Sequence, residues 1–341
     1  MFDIITIGSV TRDVFLDAAD LKTIKWQQTP SQQGYILPIG DKLEIKNIFF
    51  TIGGNAANAA VTFARQGFKT ACIGRVGRDV AGKELKKDLL QEKVNVSMIS
   101  VDKKLFTAYS VLLLKNGERT ILSYHGASND FNFSDFNIND LQSKWWYLSL
   151  AGESYRLFPR LISWARKNKI AIAFNPSGYH LTKDKNSILS ALKDITFLVL
   201  NEEEAALLTG IPFKYEKKVF QKLDDLMPGI LAVTNGNQGV TVSDGKFIYR
   251  AGVFKEKKLI DRTGAGDAFG SGFVAGLMFQ NIFYSNINNL NSQNICYAIR
   301  LATANATSVV EKIGATSGIL NKKEFFNKRW SNLKITIEKI K

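Results

Sequence analysis

The sequence predicts an α/β fold, a mostly parallel sheet with helices on both faces and a smaller β-sheet beside it. Three observations carry this expectation. Apolar runs of strand length alternate with helically spaced segments through most of the chain, the order that builds parallel sheets. Several strand runs end at Gly, Asn or Pro, where a chain leaves a sheet. Two stretches, about 13–48 and 100–125, break the alternation and carry β-type residues without a crossover helix.

Taken in order, Asp3–Ser9 reads as a short buried strand ending in Gly8. Asn55–Gln66 has helical spacing and stops at Gly67, a natural C-terminal cap. Thr70–Ile73 is a strand, and Gly82–Glu92 a helix with its charges on one face. Thr107–Leu114 and Arg119–Tyr124 flank Lys115-Asn116-Gly117-Glu118, and an Asn-Gly pair between two strand runs signals a hairpin. Strand Trp146–Leu150 precedes helix Tyr155–Asn168, strand Ile170–Phe174 breaks at Pro176, and strand Phe197–Leu200 runs into the helical Glu202–Leu208. Ile230–Thr234 ends at Asn235-Gly236, with β runs Gly239–Ser243 and Phe247–Arg250 behind it. Helices are expected from near Gly266 and over Asn291–Lys312. Within 13–48 the strand candidates are Tyr35-Ile36-Leu37 and Glu44-Ile45. The two irregular stretches are read as a small accessory β-sheet, and 1–341 as one domain. In open α/β sheets, ligands bind beyond the carboxyl ends of the strands, so chemical residues are sought just after strands.

Bulk properties remove several classes of function. Of the 341 residues, 45% are hydrophobic and 22% charged, enough to bury a sizeable core. Met1-Phe2-Asp3-Ile4-Ile5 lacks the marks of a signal peptide, and no apolar run is long enough to span a membrane. Cys72 and Cys296 are too few for a disulfide framework, so a reducing cytoplasm fits. A formal charge of +14 would suit nucleic acid, yet the lysines are scattered, with no basic run interleaved with aromatics. A solvated lysine-rich surface is expected, without a nucleic-acid or membrane partner. His125 and His180 stand far apart and no Cys-x-x-Cys occurs, so a zinc site is not expected. There is also no Gly-x-Ser-x-Gly elbow of an α/β-hydrolase.

The most informative segment is Asp261-Arg262-Thr263-Gly264-Ala265-Gly266-Asp267-Ala268-Phe269-Gly270-Ser271-Gly272. Its glycines let the backbone turn tightly and approach a ligand. A helix starting there offers unpaired N–H groups and the positive end of its dipole, a site for an anion. A carboxylate at the edge of an anion cradle, Asp267, suggests a base for an attacking hydroxyl. Taken alone, the segment admits a plainer account, in which the glycines serve helix packing and Asp267 caps the helix. It is not the dinucleotide fingerprint, because Gly270 falls one residue too late after Gly264 and Gly266. Gly77-Arg78-Asp79-Val80-Ala81-Gly82-Lys83-Glu84 has the glycine spacing of a P-loop, but Glu84 stands where a magnesium-binding Ser or Thr belongs.

A second segment, Gly53-Gly54-Asn55-Ala56-Ala57-Asn58-Ala59-Ala60, opens a helix after the irregular early region. Together the two segments resemble the paired signatures of the ribokinase-like (PfkB) family of carbohydrate kinases. The resemblance runs from Ile4 to about Gly318 and takes in Gly74–Gly82, which accounts for the P-loop look-alike.

The resemblance implies a three-layer α/β/α core with a β lid, and ATP and Mg2+ as cofactors. Asp267 matches the catalytic base, and the amides of Gly264, Ala265 and Gly266 its anion hole. Asn201 and Glu204 match an Asn-x-x-Glu motif that positions magnesium and phosphate, largely through water. The other reading of that motif is an acid-rich first helix turn. Thr234, Gly236 and Gly239 match the stretch lining the nucleotide, and Asn305 falls near the expected adenine pocket, though it could equally be a solvated Asn. On the acceptor side, Asp13, Gly54 and Asn58 match positions that bond substrate hydroxyls, with Glu153 a further candidate. Asn55 stands where the typical ribokinase pattern has Lys, which leaves the subgroup open. Asp261, Thr263 and the Lys312–Ser317 loop resemble a monovalent-cation site, for K+, of some members.

These roles describe transfer of a phosphoryl group from ATP to a hydroxyl of a small sugar. The competing readings are a nucleoside kinase of the same family, with Trp26, Tyr35 or Phe106 shaping a lid pocket, and a binding protein without catalysis. An exposed lid edge would let two lids pair into a homodimer, an assembly the sequence itself does not decide.

Overall fold

The computed structural model describes residues 1–28, 32–115 and 117–340. The chain opens with β1 (Phe2–Gly8), β2 (Thr11–Asp17), the short pair β3 (Thr23–Lys25) and β4 (Gln33–Tyr35), and β5 (Ile48–Gly53). Next come α1 (Asn55–Arg65), β6 (Thr70–Gly77), α2 (Val80–Gln91), β7 (Ile99–Asp102), and the hairpin β8 (Ala108–Lys115) and β9 (Glu118–Tyr124). A regular alternation follows: β10 (Ser143–Ser149), α3 (Phe158–Lys167), β11 (Ala171–Phe174), α4 (Gly178–Lys183), α5 (Lys185–Ala191), β12 (Phe197–Asn201), α6 (Glu202–Thr209), α7 (Glu216–Asp224) and β13 (Ile230–Thr234). The chain ends with β14 (Val240–Ser243), β15 (Phe247–Ala251), α8 (Ala265–Phe279), α9 (Ser292–Val309), α10 (Lys322–Phe325) and β16 (Ile335–Lys339).

The main sheet has the order β16-β15-β14-β13-β12-β11-β10-β1-β6-β7. From β13 to β7 every pairing is parallel, and β14, β15 and β16 extend one edge antiparallel. Alternation along a strand sends successive side chains to opposite faces. In β10, Trp146 and Leu148 enter one core with Ile172 of β11 and Phe158 of α3. Trp145 and Tyr147 enter the other with Phe273 of α8 and Ala298 of α9. A parallel strand covered on both faces reads as a continuous apolar run, as β10 does. Its two indoles find partners inside, Trp145 Nε1 donating to Ile282 O at 3.0 Å and Trp146 Nε1 to Leu141 O at 3.1 Å. Helices thus cover both faces, giving the three layers expected.

A four-stranded sheet of order β5-β2-β8-β9 stands apart from the main one. It differs in detail from the sequence reading. Tyr35 closes β4, but Ile36, Leu37, Glu44 and Ile45 lie outside any strand, and Ile48–Gly53 is the partner that β2 takes up. Long-range pairing with β2 decides this strand, and local apolar runs do not reveal it. The β8–β9 hairpin is as predicted, with Lys115 opposite Glu118; Asn116 of its turn lies outside the described residues. Arg12 of β2, 3% exposed, fastens this sheet to the core by binding Asp88 at 2.9 Å and Glu84 at 3.1 Å on α2.

Candidate functional site

A cleft of about 300 Å³ opens between the small sheet and the carboxyl ends of the main strands. Asp13, Gly54, Asn55, Asn58, Thr263, Gly264 and Asp267 all border it. Segments more than 200 residues apart in sequence therefore meet, as the 209-residue separation of Asn58 and Asp267 shows.

The turn into α8 forms because Gly264 takes a left-handed conformation, φ 77° and ψ 2°, as N-cap. A Cβ there would also stand 2.4 Å from the Ala315 Cβ. No side chain caps this helix, so its first-turn N–H groups have no intrahelical partner, and Ala265 N reaches back to Arg262 O at 3.4 Å. A Cβ at Gly266 would meet nothing within 4 Å, so the space beyond that amide is open. Farther along, Gly272 and Gly276 lie against the Cα atoms of Ala302 and Ala298, where a Cβ would come within 2.9 and 2.6 Å. Helix packing thus accounts for Gly272 and Gly276, which let α8 and α9 approach closely, whereas Gly264 sets the turn and Gly266 leaves the space beside it open.

Asp267 sits in the first turn of α8, only 8% exposed. Burial pushes its carboxyl up to about 6, against the hydrogen bond that Asn58 donates at 2.9 Å. Asp13, 5% exposed, is pushed up to about 7, chiefly by burial, with the charges of Asp267 and Asp261 adding to it and Ser110 opposing. Asp13 Oδ1 and Asn58 Oδ1 are buried without a partner, acceptors that a ligand hydroxyl would satisfy. Gly53 makes room for this arrangement, because a Cβ there would fall 2.1 Å from the Asp13 carboxylate.

Asn201 and Glu204 form a reciprocal cap on α6, with Glu204 N donating to Asn201 Oδ1 and Asn201 N to Glu204 Oε2, both at 2.8 Å. Burial raises the Glu204 carboxyl, and the charges of Asp267 and Glu203 add to it. Glu204 Oε1 makes no hydrogen bond among the described residues. One carboxylate with a free oxygen fits magnesium, which is held by one or two carboxylates together with waters and phosphates. Among the described residues no group of three or more His, Cys, Asp or Glu is placed to hold a metal ion by itself. Thr234 stands beside Asn201 in register at the ends of β13 and β12. The turn after it, through Gly236 to Gly239, borders a larger hollow of about 780 Å³ with Asn235, Gln238, Glu202 and Arg250 on its walls.

Asp261 is fully buried and braces the turn, accepting from Thr263 N at 2.9 Å, Thr263 Oγ1 at 2.7 Å and Gly314 N at 3.0 Å. This closure of the 261–263 turn on the loop at Gly314 is complete in protein donors alone.

Two expected contacts are corrected. Asn305 faces no cleft: it is 0% exposed, donates to Ala268 O at 2.9 Å and Thr62 Oγ1 at 3.3 Å, and accepts from Leu320 N at 3.0 Å. It is a strut joining α9, α8 and α1, and neither an adenine contact nor a solvated Asn. Glu153 is held by Tyr179 and by Arg156 at 2.8 Å, and Ala151 borders the cleft in its place. Trp26, Tyr35 and Phe106 are not on that wall either, whereas Tyr109, Tyr124 and His125 are.

Sequence reading missed Ser9, whose Oγ accepts from Asn55 N at 2.9 Å, and the small-sheet residues Ser110, Ser123 and Arg119. Only the strand register, which places Ser123 opposite Ser110 and Ser110 opposite Asp13, reveals them.

Among the described residues no helix is long and apolar enough to cross a membrane. A model of the pfkB family carbohydrate kinases matches residues 13–322. The ribokinase of Haemophilus influenzae is 29% identical over 300 residues, covering 85% of this chain and 91% of its own. In fold the chain is similar to an Arabidopsis thaliana ribokinase solved with ribose and ATP, with TM-score 0.75 and 20% identity over 97% of this chain and 99% of that one. It is similar also to the adenosine kinase of Sinorhizobium meliloti, with TM-score 0.73 and 20% identity over 94% and 98%. With a family match over residues 13–322 and a curated ribokinase aligned over 85% of it, the chain belongs to the pfkB family of carbohydrate kinases, phosphotransferases that act on sugar hydroxyl groups.

Proposed function

We propose that this chain transfers the γ-phosphoryl group of ATP to a hydroxyl of a small sugar, with Asp267 as general base. The observation that carries this is the position of Asp267. It is a buried carboxyl pushed up to about 6, in the first turn of an uncapped helix and within the cleft that Asp13 also borders. A base poised near neutral pH can take a hydroxyl proton and remain ionised often enough to act. The first-turn amides of α8, at Gly264, Ala265 and Gly266, supply donors where charge develops on the transferring group. Phosphoryl transfer depends chiefly on such positioning and electrostatics.

Asp13 and Asn58 hold the acceptor through their unpartnered oxygens, with Gly54 and Asn55 shaping that wall. The nucleotide lies toward Asn201, Thr234, Gly236 and Gly239, which the fold gathers at the ends of β12 and β13. Glu204 would hold Mg2+ through water, where the ion would offset phosphate charge. Asp261 and Thr263 would border K+ if this chain uses one. The small sheet serves as a lid that excludes water from the acceptor.

A nucleoside acceptor is the second reading, favoured by Tyr109 and Tyr124 on the cleft wall, which could stack on a base. The deciding experiment measures ADP release from Mg-ATP against ribose, fructose, adenosine, cytidine and inosine, with Asp267→Asn in parallel. Stimulation by a sugar alone supports the first reading, and stimulation by a nucleoside alone replaces it with the second. Turnover surviving in Asp267→Asn would remove the base assignment.

A further inference from the structure

Arg119 borders the acceptor cleft from β9 and is the one half-buried residue on a strand otherwise exposed. Its Nε is buried without a hydrogen-bond partner. Its side chain forms no ion pair among the described residues. Arg12, Arg65, Arg75 and Arg329 have carboxylate partners in Asp88, Glu92, Asp102 and Glu311, and Arg300, whose Nε is also unpartnered, lies over the rings of Tyr297 and Phe325 away from the cleft.

The nearby carboxylates do not serve it. Glu118, its neighbour in sequence, points to the other side of the strand and lies 3.6 Å from Arg262. Asp17 shares its cross-strand row through Leu114, but Asp17 accepts instead from Ala19 N at 3.2 Å and Asn47 Nδ2 at 3.2 Å. A guanidinium has five donors and no acceptor, and leaving a buried donor unpaired is costly. Because Arg119 borders the cleft, a bound ligand is placed to supply that partner.

Register places that partner. Asp13 shares a row with Ser110 and Ser123, and Arg119 lies four residues from Ser123 along β9, roughly 14 Å at about 3.4 Å per residue. Arg119, Ile121 and Ser123 follow one another on the same face of β9, and all three border the cleft. That spacing suits a sugar whose reacting hydroxyl lies at Asp13 and Asp267 while its far end lies at Arg119. Hydroxyls along the sugar have Asp13, Asn58 and the two serines. The planar guanidinium is matched by a group with two anionic oxygens.

We infer that the acceptor carries an anionic group, a phosphate or a carboxylate, at the end remote from the reacting hydroxyl, and that Arg119 selects it. This rests on the kinase reading above and narrows its substrate class to phosphosugars or sugar acids.

The test compares kcat/KM for paired acceptors on the full chain with Mg-ATP: fructose against its 1- and 6-phosphates, and glucose against gluconate and 2-keto-3-deoxygluconate. An anionic acceptor is expected to exceed its neutral counterpart at least about 30-fold, the scale of one lost partner in a buried charge pair. In Arg119→Gln that ratio is expected to fall to within about 3-fold, and Arg119→Lys, which keeps the charge but not the fork, to lie between. The phosphate and carboxylate arms identify which anion is read. A ratio near one in the unaltered chain, or a ratio that Arg119→Gln leaves intact while lowering both rates together, overturns the inference and leaves the kinase reading standing. Phosphorylation of none of these or of the neutral sugars and nucleosides, in a chain that binds ATP, removes the kinase reading and this inference with it.

Discussion

Asn58 on α1 donates from Nδ2 to Asp267 Oδ2 at 2.9 Å, so the helix that opens with Gly54 holds the carboxylate at the start of α8. The bond favours the ionised carboxylate, while burial opposes it more strongly, leaving the group at about 6. Asp267→Asn is expected to lower kcat at least about 10²-fold while ATP still binds. Asn58→Leu removes the donor to Asp267 together with the oxygen proposed to hold the acceptor, so KM should rise, the carboxyl should rise further, and the acid limb of the kcat/KM profile should move to higher pH. An acid limb that stays in place in Asn58→Leu would separate Asn58 from the ionisation of Asp267.

The neighbouring Asp13, pushed up to about 7, gives a stability prediction of opposite sense to that of an ordinary surface Asp. Its folded-state value lies above the ordinary carboxylate value of 3.8. Between those values the folded chain binds the proton more readily than the unfolded chain. Stability is therefore lost as pH rises through that window. Asp13→Asn should flatten this dependence, read as the change in denaturation midpoint between pH 5 and pH 8. Equal slopes in the two proteins would mean that Asp13 is solvated.

The core was legible because its strands are buried on both faces and its helices are capped by local signals. Phe197–Asn201 running into an acid-rich helix, and Gly67 closing α1, are examples. The turn at Gly264–Asp267 was legible because its chemistry is contiguous in sequence. The small sheet was only partly so. Thr11–Asp17 and Ile48–Gly53 pair across a long insertion, and no local pattern selects Ile48 over Tyr35 as the start of the partner strand. Arg119, Ser110 and Ser123 became visible only once register put them on the cleft side. Asn305 misled for a related reason, since sequence position on α9 does not say which way a helix face points.

Gly264 offers a test of the turn itself. An alanine there meets the cost of a left-handed φ of 77° and a contact of 2.4 Å with Ala315. Gly264→Ala is expected to lose about 1–3 kcal/mol of stability, and displaced amides should lower kcat by about 10²-fold or more. Adding Ala315→Gly relieves the contact but not the φ, so denaturant melts should show partial recovery. Full recovery would mean that the left-handed conformation costs nothing here.

The outer side of the lid sheet carries a row in register, Phe50–Val14–Val111–Leu122, with Phe50 58% and Leu122 55% exposed. Val14 in the middle is only 7% exposed, so the apolar surface offered to a second copy lies at the two ends of the row, Phe50 and Leu122. A homodimer through the lid is therefore expected in sedimentation, dissociating in Phe50→Asp or Leu122→Asp. A monomer at all concentrations in the unaltered chain would leave this row without a partner copy.

His180 makes the last prediction, and its sign is the reverse of the usual one for histidine. It is 0% exposed among Tyr155, Phe158 and Phe174, and neither ring nitrogen has a partner. Burial lowers its value from 6.5 to about 4. Above the unfolded value both states are neutral and the group contributes no pH dependence. As pH falls from about 6.5 toward 4 the unfolded chain takes up a proton that the folded chain refuses, so stability drops with acidity. The full drop over that window is about 3 kcal/mol. His180→Phe, which keeps an aromatic ring in the same cluster, should remove this component, so that the variant gains on the parent as pH is lowered from 7 to 4.5. Parallel pH dependences of the two melting curves would show that His180 accepts its proton without leaving the core.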